Sequence, residues 1–282
     1  MTIPPNLYHY TSQKGLKGIL QNKNLWMTNI RYLNDSSEFS YTINLVKTEL
    51  KKRKDKYYNH CKTLYDKTYK AYELTEKFCN NLLNNTEYEF YVFSLSQKKN
   101  DLNQWREYCP KEGGFCVEFD YKKLSHIINP DGGNQENHIN IKKCEYHKKE
   151  QIKSISSLFD NLDTSFTSTN SVDLPHIFIK FVLDILKLSS YCKDTSFKDE
   201  IEYRIISRGE HNNKIYREGK STIIPYIEFS PLDDDNKLPI SKIWIGPTPH
   251  PELSKMSVES LLKSEKYKGV KVIKSKIPYR SW

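Results

Sequence analysis

Residues 200–206 read Glu200-Ile201-Glu202-Tyr203-Arg204-Ile205-Ile206. In an extended strand alternate side chains share a face, so Glu200, Glu202 and Arg204 project one way and Ile201, Tyr203 and Ile205 the other. Such a strand is apolar toward a core and carries two carboxylates and a guanidinium on its opposite side. The polar side is either an edge whose charges discourage pairing with other chains or the wall of a polar site. Neighbouring carboxylates repel, so Arg204 or a ligand must offset them.

Two other stretches have the same construction. In Tyr91-Val92-Phe93-Ser94-Leu95-Ser96, the hydroxyls of Ser94 and Ser96 share a face with Val92, opposite Tyr91, Phe93 and Leu95. Leu7-Tyr8-His9-Tyr10-Thr11 reads as a short strand with His9 on the side of Leu7 and Thr11. A single histidine among tyrosines is more often packed or hydrogen-bonded than in contact with a ligand.

Around these pieces the chain alternates strands and helices. Ser12 caps a helix to about Leu20, and a second short strand covers Leu25 to Thr28. Phe39, Ile43, Val46, Leu50, Tyr57, Cys61 and Leu64 recur at helical spacing, which predicts helix over most of 36–83 with a break near Asp55. A helical turn is expected from Leu102 to Tyr108, then a strand from Phe115 to Phe119 behind Gly113-Gly114. After a short helix and a Pro130-Asp131-Gly132-Gly133 loop, a strand runs from Ile139 to Tyr146. Residues 148–188 are helical apart from a Thr/Ser/Asn stretch at 163–171. Strands follow at 200–206, 221–229 and 240–245, a helix at 251–265, and a last strand from Val270 to Ile277. The expectation is one α+β domain over 1–282, with a mixed or antiparallel sheet core and helical insertions at about 36–83 and 148–190.

The chain has 282 residues, a net charge of +9 and only 37% hydrophobic residues, with 20 Tyr and 12 Phe as packing units. No apolar run approaches the roughly 20 residues of a membrane-spanning helix. The N-terminal Met-Thr-Ile-Pro-Pro lacks a basic region followed by an apolar one, so a soluble cytoplasmic protein is expected. Its six cysteines form no C-x-x-C pair and read as reduced and structural. Cys144-Glu145-Tyr146-His147 offers one metal-like pair without a second, and no metal is expected. Lys and Arg outnumber Asp and Glu between Lys47 and Lys77. A basic helix of this kind suits phosphate-bearing partners, or is simply a solvated face.

In combination, a histidine strand, a Ser-x-Ser strand and a Glu-x-Glu strand resemble the ADP-ribosyltransferase fold. Leu95 stands where that family has Thr, and the interval from Ser94 to Glu202 is longer. The resemblance implies a split sheet and NAD as substrate. Glu202 would be the catalytic acid beside a developing oxocarbenium ion, Glu200 would orient the nucleophile, and His9 would hold the nicotinamide ribose. Ser94 and Ser96 would shape the pocket, joined by Tyr10, Thr11, Asn34 and Asp35. Trp105 and Tyr108, one helical turn apart, would stack on a ring, and Arg204 and Arg280 would clamp a pyrophosphate. Asn34 and Asp35 read more simply as a helix cap, and Trp105 and Tyr108 equally as core.

The chain also resembles, from end to end, the bacterial domain-of-unknown-function family numbered twenty-nine seventy-one. The marks are Tyr8-His9-Tyr10-Thr11-Ser12, Tyr32-Leu33-Asn34-Asp35, Ser94-Leu95-Ser96, Trp105-Arg106-Glu107-Tyr108, Gly113-Gly114-Phe115, Glu200 to Arg204, Ile245-Gly246-Pro247 and Ser275 to Arg280. Members of that family lie near mobile elements and phage-defence genes, which implies an effector or toxin with a protein or nucleic-acid acceptor, or a phage or host partner. Two readings of another class stand beside the NAD-consuming one. The first is a nucleic-acid-binding or nuclease module using Lys51, Lys52, Arg53 and Lys54; the second is a sensor without catalysis.

Overall fold

The computed structural model describes residues 4–33, 38–60, 67–81, 89–130, 139–168, 173–208, 214–219 and 221–279. Asn34, Asp35 and Arg280 lie outside them. The first elements are β1 (Asn6–Thr11), α1 (Gln13–Asn22), β2 (Leu25–Asn29), α2 (Glu38–His60), α3 (Lys67–Asn81), β3 (Phe90–Ser96) and α4 (Leu102–Tyr108). Next come β4 (Phe115–Asp120), α5 (Tyr121–Ile128), β5 (Ile139–Lys143), α6 (Lys148–Ser168) and α7 (Leu174–Ser189). The chain closes with β6 (Glu202–Arg208), β7 (Ile215–Glu218), β8 (Ile223–Phe229), β9 (Ile240–Ile245), α8 (Pro251–Ser264) and β10 (Lys271–Lys274). Side-chain caps start several helices: Ser12 accepts from the Gly15 N–H, Asp101 from Asn103 and Gln104, and Asp120 from Lys123.

One mixed sheet organises the described residues, and β3 is its centre. One edge of β3 is taken along its whole length by antiparallel β6, from Phe90 opposite Arg208 to Ser96 opposite Glu202, with β5 beyond. The other edge is shared. β1 meets it only at Tyr8 opposite Ser96, and β2 only at Thr28 and Asn29 opposite Val92 and Tyr91. From that shared edge two wings diverge. One continues through β1, β4 and β9 to parallel β10, and the other through β2 and β8 to β7.

The alternation of each strand decides what covers it. Leu7, Leu25, Met27, Tyr91, Phe93, Leu95, Tyr203 and Ile205 point to one side, where Leu16, Ile19 and Leu20 of α1, Leu124 and Ile128 of α5, and Val258 and Leu262 of α8 bury them. On the opposite side Phe90, Val92 and Ile206 pack under α2, α3, α6 and α7. Farther along that same face, Tyr8, Tyr10, Cys116 and Trp244 pack with Trp105 of α4. Two separate covers therefore share one face, with the Ser94–Ser96 end of β3 between them.

Several expectations are corrected here. α2 runs unbroken through Asp55, and the anticipated helical regions form two pairs, α2/α3 and α6/α7. The strand expected to begin at Glu200 begins at Glu202, because Thr195–Glu200 form a 3-10 helix that ends with Ile201 in the left-handed region at φ 45°. The edge strand β7 was not anticipated, and β10 is shorter than Val270 to Ile277. Arg53 is bound internally by Glu49, Asp160 and Asp163, and Lys54 pairs with Glu76. Neither is a free cation for nucleic acid, so this part of the basic run holds helices together.

Gly246 follows β9, and a Cβ there would stand 2.8 Å from the Trp105 ring and 3.1 Å from the Gly114 carbonyl. The Gly246 N–H already donates to that carbonyl. Gly246→Ala is expected to cost about 1–3 kcal/mol by overpacking. Urea unfolding of the variant against the parent chain measures it, and an unchanged midpoint would show that Trp105 has room to move.

Candidate functional site

The split in the sheet creates the site. Between the points where β1 and β2 reach β3, the backbone edge at Phe93–Leu95 has no strand neighbour among the described residues. The imidazole of His9 fills this position. Its Nδ1 lies 2.9 Å from the Ser94 carbonyl, and its ring stacks on Phe93 with centroids 4.2 Å apart. A carbonyl only accepts, so Nδ1 carries the hydrogen and Nε2 of the neutral ring keeps a free lone pair. Burial lowers the His9 pKa to about 4, the hydrogen bond to Ser94 opposing it only in part. His9 is thus uncharged at neutral pH.

Across β3 lies Glu202, the first residue of β6, buried with 6% exposure. Arg204 grips its carboxylate with two hydrogen bonds, Nε to Oε1 at 2.8 Å and Nη2 to Oε2 at 3.0 Å. Lys193 donates to the same Oε2 at 2.9 Å, and the Cys144 thiol lies 3.6 Å from it. Burial on its own would raise this carboxyl, but Arg204 and then Lys193 overcome it and hold the pKa at about 2. The Ser94 hydroxyl adds to the same effect. The Glu202 N–H is bound by the Tyr146 hydroxyl at 2.9 Å.

Lys193 also donates to Glu200 at 2.5 Å. It reaches both carboxylates because residues 191–193 lie beside Glu145, tied by Glu145 N–H to Tyr191 O and Lys193 N–H to Glu145 O. Glu200 accepts a further bond from the Tyr108 hydroxyl at 3.0 Å, while its carbonyl takes the Ser96 hydroxyl at 2.6 Å. Those two bonds pin the 3-10 turn and return Glu200 to the polar side that strand alternation would have assigned it.

His9, Ser94, Ser96, Glu200 and Glu202 line one cleft, together with Tyr8, Tyr10, Leu95, Gln104 and Tyr108. The three dispersed motifs do converge. Lys193 and Arg204 stand behind the wall and do not line it. The quartet is neutral in sum, yet its negative end faces the opening. The cleft measures about 60 Å³. That is room for a few waters or the end of a ligand, well below the several hundred Å³ of a pocket enclosing a drug-sized molecule.

Other anticipated members fall elsewhere or serve other ends. Arg204 is 2% exposed, and its remaining Nη1 donates to the Ser190 carbonyl, so it clamps Glu202 rather than a pyrophosphate. Trp105 is 3% exposed, packed edge-on to Tyr10 with its indole N–H on Asn100, which makes it core rather than a stacking surface. Tyr10 lines the cleft, but its hydroxyl is spent on Lys98 O and Asp101 N–H. Thr11 pairs with Phe115 of β4 and does not line the cleft. Glu202 is ionised throughout the neutral range, so it is a fixed anion and no proton donor. Lys193 was not foreseen: a lone lysine after an apolar helix gives no local sign of its partners.

A family model described as a protein of unknown function (DUF2971) matches residues 104–205, from α4 to the Glu202–Arg204 segment. No curated protein and no solved structure matches the chain.

Half-buried His9 and buried Glu202 both make stability fall in acid. The imidazole of His9 titrates near 4 in the fold against 6.5 ordinarily, so the unfolded chain binds the extra proton between those values. Stability is therefore full above about pH 6.5 and declines toward pH 4. His9→Gln keeps a donor for Ser94 and is expected to flatten that part of a thermal-melting profile. Glu202 contributes fully above its ordinary 4.5, and its contribution is lost as pH falls toward 2. Glu202→Gln leaves Lys193 and Arg204 short of an anion and is expected to cost about 3–5 kcal/mol at pH 7 in urea unfolding.

Proposed function

We propose that the cleft cleaves the glycosidic bond of NAD, passing the ADP-ribosyl group to water or to a protein or nucleic-acid acceptor. We also propose that likeness to the family of unknown function extends over the whole chain. The observation that carries the reading is the orientation of the ion quartet, with Glu200 and Glu202 on the cleft wall and both cations behind it.

The chemistry suits an ionised carboxylate. When the bond between ribose C1′ and the pyridinium nitrogen breaks, nicotinamide departs neutral with the electron pair. The positive charge moves to the sugar as an oxocarbenium ion. No acid is needed for that leaving group, so Glu202 works as a fixed negative charge in a site poor in water. Glu200 orients the incoming oxygen, which bonds to C1′ and gives up its proton to solvent. His9, neutral and held by Ser94, presents Nε2 as an acceptor for a ribose hydroxyl. A cleft of about 60 Å³ takes the reacting end and leaves the rest of the dinucleotide on the surface.

A second reading has its own support. His9 Nδ1, the Ser96 hydroxyl and the Glu202 carboxylate all have protein partners already, as residues that staple a split sheet would. On that reading the protein binds a partner without catalysis.

Purified protein incubated with NAD separates the two. Catalysis predicts released nicotinamide, with His9→Gln and Ser94→Ala each slowing release about 10²-fold or more while melting near the parent temperature. Full NAD recovery, with acceptor proteins and nucleic acids supplied and no ADP-ribosyl label on any, would retire the enzymatic reading.

A further inference from the structure

The wing of the sheet beyond β2 holds a group of donors that the cleft does not use. Arg217 of β7 lies across β8 and sends Nη2 to the Thr28 hydroxyl at 3.2 Å. Its Nε is buried without an acceptor among the described residues. Burial lowers the guanidinium pKa, Tyr226 opposing it, and Arg217 makes no ion pair among the described residues. An arginine half-withdrawn from water with no anion is costly unless a ligand supplies one.

Its neighbours share this character. Ile215 and Arg217 stand opposite Tyr226 and Ile224, and Tyr226 stands opposite Thr28. Opposed residues share a sheet face, so Arg217, Thr28, Tyr226 and Trp26 rise from one side. Trp26 and Tyr226 are in ring contact, with centroids 4.7 Å apart. Among the described residues neither the Trp26 indole N–H nor the Tyr226 hydroxyl has a hydrogen-bond partner. Guanidinium, hydroxyls and indole thus rise from one face of the sheet. Exposed Glu228, opposite Trp26, makes no ion pair among the described residues.

The position relates this spot to the cleft. Thr28 is paired with Val92, two residues from Ser94 on β3, which is roughly 7 Å along a strand. Val92 and Ser94 point to the same face. Arg217 therefore rises from the same sheet face as Ser94, with Val92 and its helical cover between them.

We infer that Arg217, Thr28, Trp26 and Tyr226 form an anion-binding subsite that seats the phosphates of a nucleotide. Its role as the seat of the NAD pyrophosphate rests on the function proposed above; its affinity for a phosphate anion does not. The guanidinium supplies charge and a planar pair of donors, Thr28 and Tyr226 supply hydroxyls, and the Trp26–Tyr226 pair forms an apolar floor.

Calorimetric titration with inorganic pyrophosphate and with ADP-ribose tests this. The parent chain is expected to bind both. Arg217→Met, which keeps the aliphatic stem, is expected to weaken both about tenfold or more while melting near the parent temperature. Glu228→Gln is expected to tighten both slightly by removing a like charge. If Arg217→Met unfolds, Arg217→Lys carries the test, with a severalfold loss expected because the fork is gone. Equal affinity in the arginine variants, or no binding of either probe to the parent chain, overturns the subsite. Pyrophosphate binding that depends on Arg217 without NAD turnover would sink the proposed reaction and leave the subsite standing. Turnover with ADP-ribose affinity indifferent to Arg217 would do the reverse.

Discussion

The carboxylate of Glu202, held between Arg204 and Lys193, is the contact on which the polar half of this molecule depends. Two unit charges this close inside a protein attract strongly, but stripping them of water costs a comparable amount. The arrangement is favourable only because nearly every donor is satisfied: Arg204 also reaches the Ser190 carbonyl and Lys193 also reaches Glu200. The network ties β6 to the segment after α7 and to the 3-10 turn, three pieces with no continuous ladder between them. Stability and charge geometry at the cleft therefore have one source.

The second constraint is the shared edge of β3. A strand has two edges, and here one edge serves two strands that then diverge. Divergence leaves without strand partners backbone groups that a continuous ladder would satisfy. His9 answers this by bonding the Ser94 carbonyl, which places a neutral imidazole at the rim of the cleft. The two helical covers on that face stop short of one another at the same place. A gap in the ladder, a gap in the cover and a fixed pair of carboxylates thus coincide.

Much of the architecture was legible locally. The strand at 240–245 follows from apolar alternation ended by Gly246-Pro247, and the helix after Ser12 from its cap. The separation of Ser94 and Ser96 from Phe93 and Leu95 follows from a period of two, and the core assignments agree with it. Less was legible where a residue's role depends on distant neighbours. Trp105 looks like a stacking surface until Gly246 and Tyr10 are seen to receive it, and Arg53 looks like a free cation until α6 presents Asp160 and Asp163. Glu200 is a third case, since Ile201 turns left-handed and breaks the alternation that its own residue type favours.

The amino-acid sequence by itself determined the class of fold, the face each strand turns inward, and the histidine, serine and glutamate segments that end up together. Those follow from side-chain period, capping chemistry and β-branched or aromatic composition, which act over a few residues. Only the tertiary structure decided that Lys193 joins Glu202, that Arg204 faces inward as a clamp, that His9 is uncharged, and that Arg217 has no anion among the described residues. Those properties belong to burial and to pairings between segments far apart in the chain, and electrostatic energy in a protein is set by such surroundings rather than by the residue alone.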